Sequence, residues 1–148
     1  MADSALYQQV VLEHYRHPHN RGSLDACTHA AEGANPLCGD RLRIELVVDD
    51  ERIGALRFNG EACAIATATM SMLGELVRGQ SRESIAGMAD RFARLVESGD
   101  EDRTLGALNA MRELQRYASR RKCALLPWAT LRAALAGEAH TTTEAESA

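Results

Sequence analysis

The chain reads as a single α+β domain in which a small antiparallel sheet comes first and helices that cover it follow. Three observations predict this. Residues 41–59 carry a two-strand alternation broken by one acidic turn, residues 63–136 carry helix-length apolar periodicities with recognisable ends, and a chain of 148 residues that is 45% hydrophobic can bury one core.

The elements follow in order. Ser4 to His17 reads as a helix with Leu6, Val10 and Val11 on one side and Asp3 or Ser4 as its N-cap. Pro18 closes it, because the residue before a proline avoids the helical region. His19 to Leu37, with Asn20, Gly22, Gly33 and Pro36, reads as a long loop with room for a short extended piece. Arg41 to Val48 alternates Arg41, Arg43 and Glu45 with Leu42, Ile44 and Leu46, which is the pattern of a half-buried strand. Asp49 to Arg52 turns the chain into a second strand, Ile53 to Asn59. Cys63 to Arg78 suits a strand locally, but its length and the following Gly79 favour a helix. Ser81 opens a clearer helix, with Ile85, Met88, Ala89, Phe92 and Val96 on one face and Gly99 at its end. Further helices are expected over Leu108 to Arg120 and from Cys123 to Ala136, where Pro127 is tolerable if it lies near the first turn. The domain is expected to span residues 1–137 and to leave 138–148 as a disordered tail.

Charge excludes some functions. The net charge of −4 and only six aromatic residues argue against a nucleic-acid partner. No secretory signal is readable at the N-terminus. The longest uncharged apolar run, Ala62 to Gly74, is 13 residues, short of the ~20 that cross a bilayer. A soluble, cytoplasmic protein with no membrane partner is the expectation.

In a reducing cytoplasm the four cysteines, Cys27, Cys38, Cys63 and Cys123, point to metal binding or thiol chemistry rather than disulfides. Cys38 ends the loop before the first strand, Cys63 sits where the second strand passes into a helix, and Cys123 sits where a basic segment meets the last helix. The reading places Cys63 and Cys123 at helix N-termini, where the macrodipole favours the thiolate. Asp40 can turn a carboxylate to the same point. No C-x-x-C pair is present, and cysteine often simply fills a core.

The surrounding residues are more specific. Asn35-Pro36-Leu37-Cys38-Gly39-Asp40, Phe58-Asn59-Gly60-Glu61-Ala62-Cys63-Ala64-Ile65-Ala66 and Lys122-Cys123-Ala124-Leu125-Leu126-Pro127-Trp128 resemble, in order, the three metal-site motifs of the SufU/IscU (NifU N-terminal) family of iron–sulfur cluster assembly proteins. Leu6-Tyr7 and His14 to Gly22 resemble that family's first helix and the turn after it. The 59 residues between Cys63 and Cys123, and Lys122 where IscU-type members have histidine, resemble the SufU-type branch. Ala62 and Ala118 depart from that branch at positions where glycine and proline are usual.

The resemblance implies a domain with a three-stranded sheet and a site of Cys38, Asp40, Cys63 and Cys123 at one exposed end. It implies Zn²⁺ or a [2Fe–2S] cluster (or iron) as cofactor, a SufS-type cysteine desulfurase as partner, and downstream cluster carriers or apoproteins. Cys38 is expected to accept persulfide sulfur, making the protein at most a zinc-dependent sulfurtransferase; the alternatives are a cluster scaffold and a structural zinc module. Arg120 and Lys122 match basic positions of the motif and are expected to dock the partner. They belong to a basic run, Arg112, Arg116, Arg120, Arg121 and Lys122, whose first three members recur every fourth residue as on one helix face.

Rival readings are weaker. His14, His17 and His19 cluster near the first helix, but no carboxylate that would orient them is evident in sequence. His29 or His140 offers a base to a cysteine hydrolase, yet no nucleophile motif surrounds any cysteine. Cys27 lies in a small-residue loop without a matching motif and reads as a bystander.

Overall fold

The computed structural model describes residues 2–143. Helix α1 covers Ala2–Arg16, so Asp3 and Ser4 lie within the helix rather than before it. Three strands follow, β1 (His29–Asn35), β2 (Asp40–Asp49) and β3 (Arg52–Glu61). After them come α2 (Ala64–Val77), α3 (Arg82–Ser98), a 3₁₀ stretch (Arg103–Arg116), α4 (Ala118–Leu135) and a short β4 (His140–Thr142).

The sheet has four strands in the order β3-β2-β1-β4, one more than expected. It is mixed rather than antiparallel, since β4 pairs parallel with β1. The expected tail therefore begins instead with a strand, because β1 would otherwise leave its edge N–H and C=O groups without a partner strand; residues 144–148 of that tail lie outside the described residues. β1 is a seven-residue extended piece within the expected loop of His19 to Leu37.

Alternation in β2 sets the inward face. Asp40, Leu42, Ile44 and Leu46 are buried while Arg41 and Arg43 are exposed, as the two-residue period of a strand requires. Asp40 is thus the first inward position of a core strand. In the β1–β2 register Asn35 lies opposite Asp40, and it too points inward. The core joins Leu42, Ile44 and Leu46 to Ile53, Leu56 and Phe58 of β3, and to Leu73, Phe92, Leu126 and Leu131 of the helices. Helix α4 lies against β1 and β2, and α2 lies between α1 and α4.

Helix α3 matches its expected bounds. Ser81 caps it, its hydroxyl accepting the Ser84 N–H at 3.1 Å, and Gly99 closes it in the left-handed conformation. The helix expected over Leu108 to Arg120 does not form. Gly106 (φ 52°, ψ −127°) breaks the segment, 3₁₀ geometry runs to Arg116, and Arg120 belongs to the next helix. Arg112, Arg116 and Arg120 therefore do not share one helix face. Helix α4 begins at Ala118, so Cys123 sits in its second turn and Pro127 in mid-helix. Pro127 has no N–H to offer the Cys123 carbonyl one turn earlier. Among the described residues, no helix is long and apolar enough to cross a membrane.

The turn after α1 is tied to α2. His14 Nδ1 and the His19 N–H both bond Ser71 Oγ, at 2.7 and 2.8 Å, and Glu75 bonds His19 Nδ1 and Asn20 Nδ2, each at 3.2 Å. A carboxylate partner for His19 thus exists that the sequence did not reveal, but His14 is engaged by a serine and His17 is exposed. Burial, reinforced by His19, lowers the His14 pKa below 6.5, against the weaker pull of Glu13 and Glu75. Because the native state favours neutral His14, its contribution to stability is present above about pH 6.5 and declines as pH falls below it. Thermal unfolding followed from pH 8 to pH 5.5 should show a falling Tm in wild type and a shallower fall in His14→Gln.

Candidate metal centre

Three chain segments meet at one end of the sheet. The tight β1–β2 turn, held by the Cys38 N–H on the Asn35 carbonyl (3.2 Å) and by Gly39 at φ 70°, presents Cys38 outward. Cys63 is the N-cap of α2, its Sγ accepting the Ala66 N–H at 3.5 Å. Cys123 projects from α4. Cys38 Sγ lies 3.4 Å from Cys123 Sγ, and ligand atoms of Cys38, Asp40 and Cys123 all fall within 4.8 Å of one another. Cys63 Sγ stands 3.7 Å from Asp40 Oδ2.

Burial grades the four residues. Asp40 is 1% and Cys123 2% exposed, Cys63 is half-buried, and Cys38 is exposed. Asp40 is anchored by the Cys63 N–H, which donates to Oδ1 at 2.8 Å. The second strand is thereby tied to the cap of α2. Asn35, fully buried, aims its Nδ2 at Asp40 Oδ2 (3.4 Å) and Cys123 Sγ (3.5 Å).

The two inner thiols are shifted in opposite directions. Cys63 is pulled down from 9.0 to about 7, chiefly because Cys123 donates a hydrogen bond to it, with the Ala66 N–H helping and burial opposing. Cys123 is pushed up by the same bond and by burial. The expected helix N-terminus therefore exists at Cys63 and not at Cys123, where mid-helix burial favours the thiol. A thiol so lowered, beside the Asp40 carboxyl, is an arrangement that a cation would complete.

The donor set fits a thiophilic ion. In a tetrahedral zinc site with Zn–S of about 2.3 Å, sulfur atoms stand about 3.8 Å apart, close to the separation of Cys38 and Cys123. Soft thiolates with one harder oxygen suit zinc, iron or copper(I).

A cleft of about 570 Å³ opens beside the sulfurs, lined by Tyr7, Val11 and Leu12 of α1, Ile65 of α2 and Arg120. Arg120 stacks over Tyr117 with its guanidinium carbon 5.6 Å from the ring centroid. Burial raises the Tyr7 pKa, partly offset by Arg120. Lys122 is half-buried on α4 and does not line this cleft. Cys27 is exposed in the loop before β1, outside the cluster. His29 bonds Thr28 and Arg82, and among the described residues no histidine joins the cluster. Sequence reasoning did not single out Asn35, although it stands in the first quoted motif, or the α1 wall of the cleft.

Residues 6–137 match the family described as the NifU-like N terminal domain. The chain belongs to this family. Among NifU-like N-terminal relatives, the zinc-dependent sulfurtransferase SufU of Bacillus subtilis is 32% identical over 135 residues, covering 90% of this chain and 91% of SufU. The iron–sulfur cluster assembly scaffold protein IscU of Streptococcus pyogenes is 33% identical over 132 residues, 88% of this chain and 82% of IscU. The crystal structure of FiSufU from Fervidobacterium islandicum superposes with a TM-score of 0.78 at 28% identity, covering 88% of this chain and 97% of that one. The NifU-like fold thus agrees with the resemblance read from sequence, while the group of ligand atoms within 4.8 Å of one another holds Cys38, Asp40 and Cys123 and not Cys63.

Proposed function

We propose that this protein serves iron–sulfur cluster assembly in the cytoplasm by holding Zn²⁺ through Cys38, Asp40, Cys63 and Cys123 and by accepting sulfur on Cys38 from a cysteine desulfurase. The observation that carries the reading is the gradient of exposure: Cys38 is exposed while Asp40 and Cys123 are almost wholly buried. The buried residues can keep hold of an ion while Cys38 leaves it. When bound, Zn²⁺ supplies positive charge that keeps the thiols ionised at neutral pH.

The chain's own residues do the rest. The Cys38 thiolate attacks the outer sulfur of the partner's persulfide; a new S–S bond forms at Cys38, the partner's S–S bond breaks, and the partner's cysteine departs as a thiolate. Arg120, at the cleft edge, is placed to attract an acidic partner surface, with Lys122 behind it on α4. Incubation with desulfurase and cysteine followed by peptide mass spectrometry should find one extra sulfur on Cys38. A persulfide confined to Cys123 would overturn the assignment.

The second reading, a scaffold for a [2Fe–2S] cluster, is favoured by the scaffold name carried by a relative of similar identity. Anaerobic purification separates the two: zinc without visible absorption supports sulfur acceptance, and visible bands support the scaffold.

Asp40 carries two duties in either case. As a harder ligand among thiolates it keeps one coordination position exchangeable, and its Oδ1 holds the Cys63 N–H. The variant that puts a thiolate there, Asp40→Cys, should therefore release zinc or a reconstituted cluster to a chelator more slowly than wild type. It should also lose about 1–3 kcal/mol of stability, because a buried donor loses its acceptor. Release no slower than wild type would sink the exchange role.

A further inference from the structure

We propose that Asn35 is a positioning residue for the metal ligands and that Thr143, just beyond β4, holds the Asn35 amide in the orientation this requires. The inference rests on the metal-site reading above and extends it to the C-terminal strand.

The observations form a chain of contacts. The Thr143 hydroxyl donates to Asn35 Oδ1 at 3.0 Å, and the Thr143 N–H donates to the Ala34 carbonyl at 3.0 Å. The other end of the amide, Nδ2, faces Asp40 Oδ2 and Cys123 Sγ. Asn35 has no exposed surface, so water does not compete for these bonds.

Chemistry dictates the orientation. An ionised carboxylate at Asp40 and, once an ion is held, a thiolate at Cys123 only accept hydrogen bonds, so the NH₂ end of Asn35 must face them. Turned over, the amide would set its own carbonyl oxygen against two acceptors. A hydroxyl on the far side, able to donate to the carbonyl oxygen, selects the productive orientation. Groups that hydrogen-bond ligating carboxylates and other ligand atoms orient them and tune how tightly a metal is held. Here one amide restrains two ligands from two elements, β2 and α4.

The anchoring strand lies beyond the residues matched to the family: the match ends at residue 137, whereas β4 and Thr143 follow it. The parallel pairing of β4 with β1 sets Thr142 against Ala34, which delivers Thr143 to Asn35. The matched domain alone therefore does not contain the group that sets the amide.

The test compares Thr143→Val, Thr143→Ser and Asn35→Ala in the full chain. The readouts are the rate of zinc transfer to a chelator and the absorption bands of the Co²⁺-loaded protein. Thr143→Val should speed zinc loss about tenfold, as other losses of groups behind metal ligands do, and should shift the cobalt bands. Thr143→Ser should restore both. Asn35→Ala should speed loss at least as much, and Thr143→Val added to Asn35→Ala should change nothing further. A merely structural Thr143 would lower the melting temperature of the metal-free protein without moving the cobalt bands or the zinc rate. Thr143→Val within twofold of wild type in zinc loss, or an equal further effect in the Asn35→Ala background, overturns the proposal. If the wild-type protein takes up no zinc or cobalt, the metal reading itself fails. The contact is then read in the metal-free protein from the Asn35 side-chain NH₂ protons. Slow exchange that is lost in Thr143→Val upholds the hold of Thr143 on the amide, and fast exchange in wild type refutes it.

Discussion

Replacing Cys123 with serine is expected to weaken zinc binding by more than a hundredfold. Binding free energies of structural zinc sites run to about 10–16 kcal/mol; shared over four ligands, that is about 3 kcal/mol each, and every 1.4 kcal/mol is about tenfold. Serine keeps the volume but is a far poorer ligand than a thiolate. Cys123 is also the group that both Asn35 and Cys38 approach, at 3.5 and 3.4 Å, so its loss removes the centre of the cluster. Cys63→Ser should fall in the same range, and Cys27→Ser, exposed and outside every quoted motif, should bind as wild type. Competition titration with a chromophoric chelator measures all three. Equal losses in the Cys27 and Cys123 variants would refute the ligand assignment.

Gly60→Ala is expected to be the most damaging substitution in the sheet. Gly60 lies at φ 132°, where a side chain is strained, and a Cβ there would run into the Arg41 carbonyl oxygen and crowd the Leu42 Cα of the neighbouring strand. These are backbone atoms of β2 and cannot swing aside. Backbone strain of about 1–3 kcal/mol adds to an overpacking penalty of about 1–3 kcal/mol. Their sum near 4 kcal/mol corresponds to a Tm lower by roughly 10 °C in a chain of this size. The damage should not stay in the sheet. Gly60 lies three residues before Cys63, and the Cys63 N–H is held by Asp40 at the start of β2. Pushing β3 from β2 therefore separates two of the proposed ligands. Calorimetry with and without zinc should show a lower Tm and a reduced stabilisation by the ion. A variant that melts like wild type would show that β2 and β3 are not held as described.

The elements that were legible in sequence are those with local signals. Helix α3 has a serine cap, a left-handed glycine and one apolar face, so nothing outside it was needed to find it. β2 and β3 announced themselves by alternation. β1 did not, because His29 to Asn35 holds alanines, a glycine and an asparagine in place of branched residues. It is a strand because β2 offers an edge to pair with, and its small inward residues let α4 approach; a Cβ on Gly33 would collide with Thr130. β4 is three polar residues whose only reason to extend is β1. The 3₁₀ stretch was read as a helix because its apolar spacing is helical, and Gly106 overrode the spacing. Pro127 suggested a helix start, yet the structure tolerates it in mid-helix, where tertiary packing on both sides outweighs the missing bond. For the centre, motif identity brought Cys38, Asp40, Cys63 and Cys123 together where cysteine spacing alone left the matter open. The roles of Asn35 and Thr143 were hidden, since a register and a fourth strand had to be seen first.

The 85-residue separation of Cys38 and Cys123 along the chain has a consequence for the protein's lifetime. An ion gripped by both would act as a cross-link around a large ring. Closing a ring of that size removes roughly 4–5 kcal/mol of freedom from the unfolded chain. Full unfolding would then demand either release of the ion or a denatured state still looped upon itself. Loaded molecules would resist proteases that act on opened chains, and emptied ones would be digested first. Occupancy of the centre would in this way govern how long each molecule survives, so that a cell short of metal would also hold less of the protein.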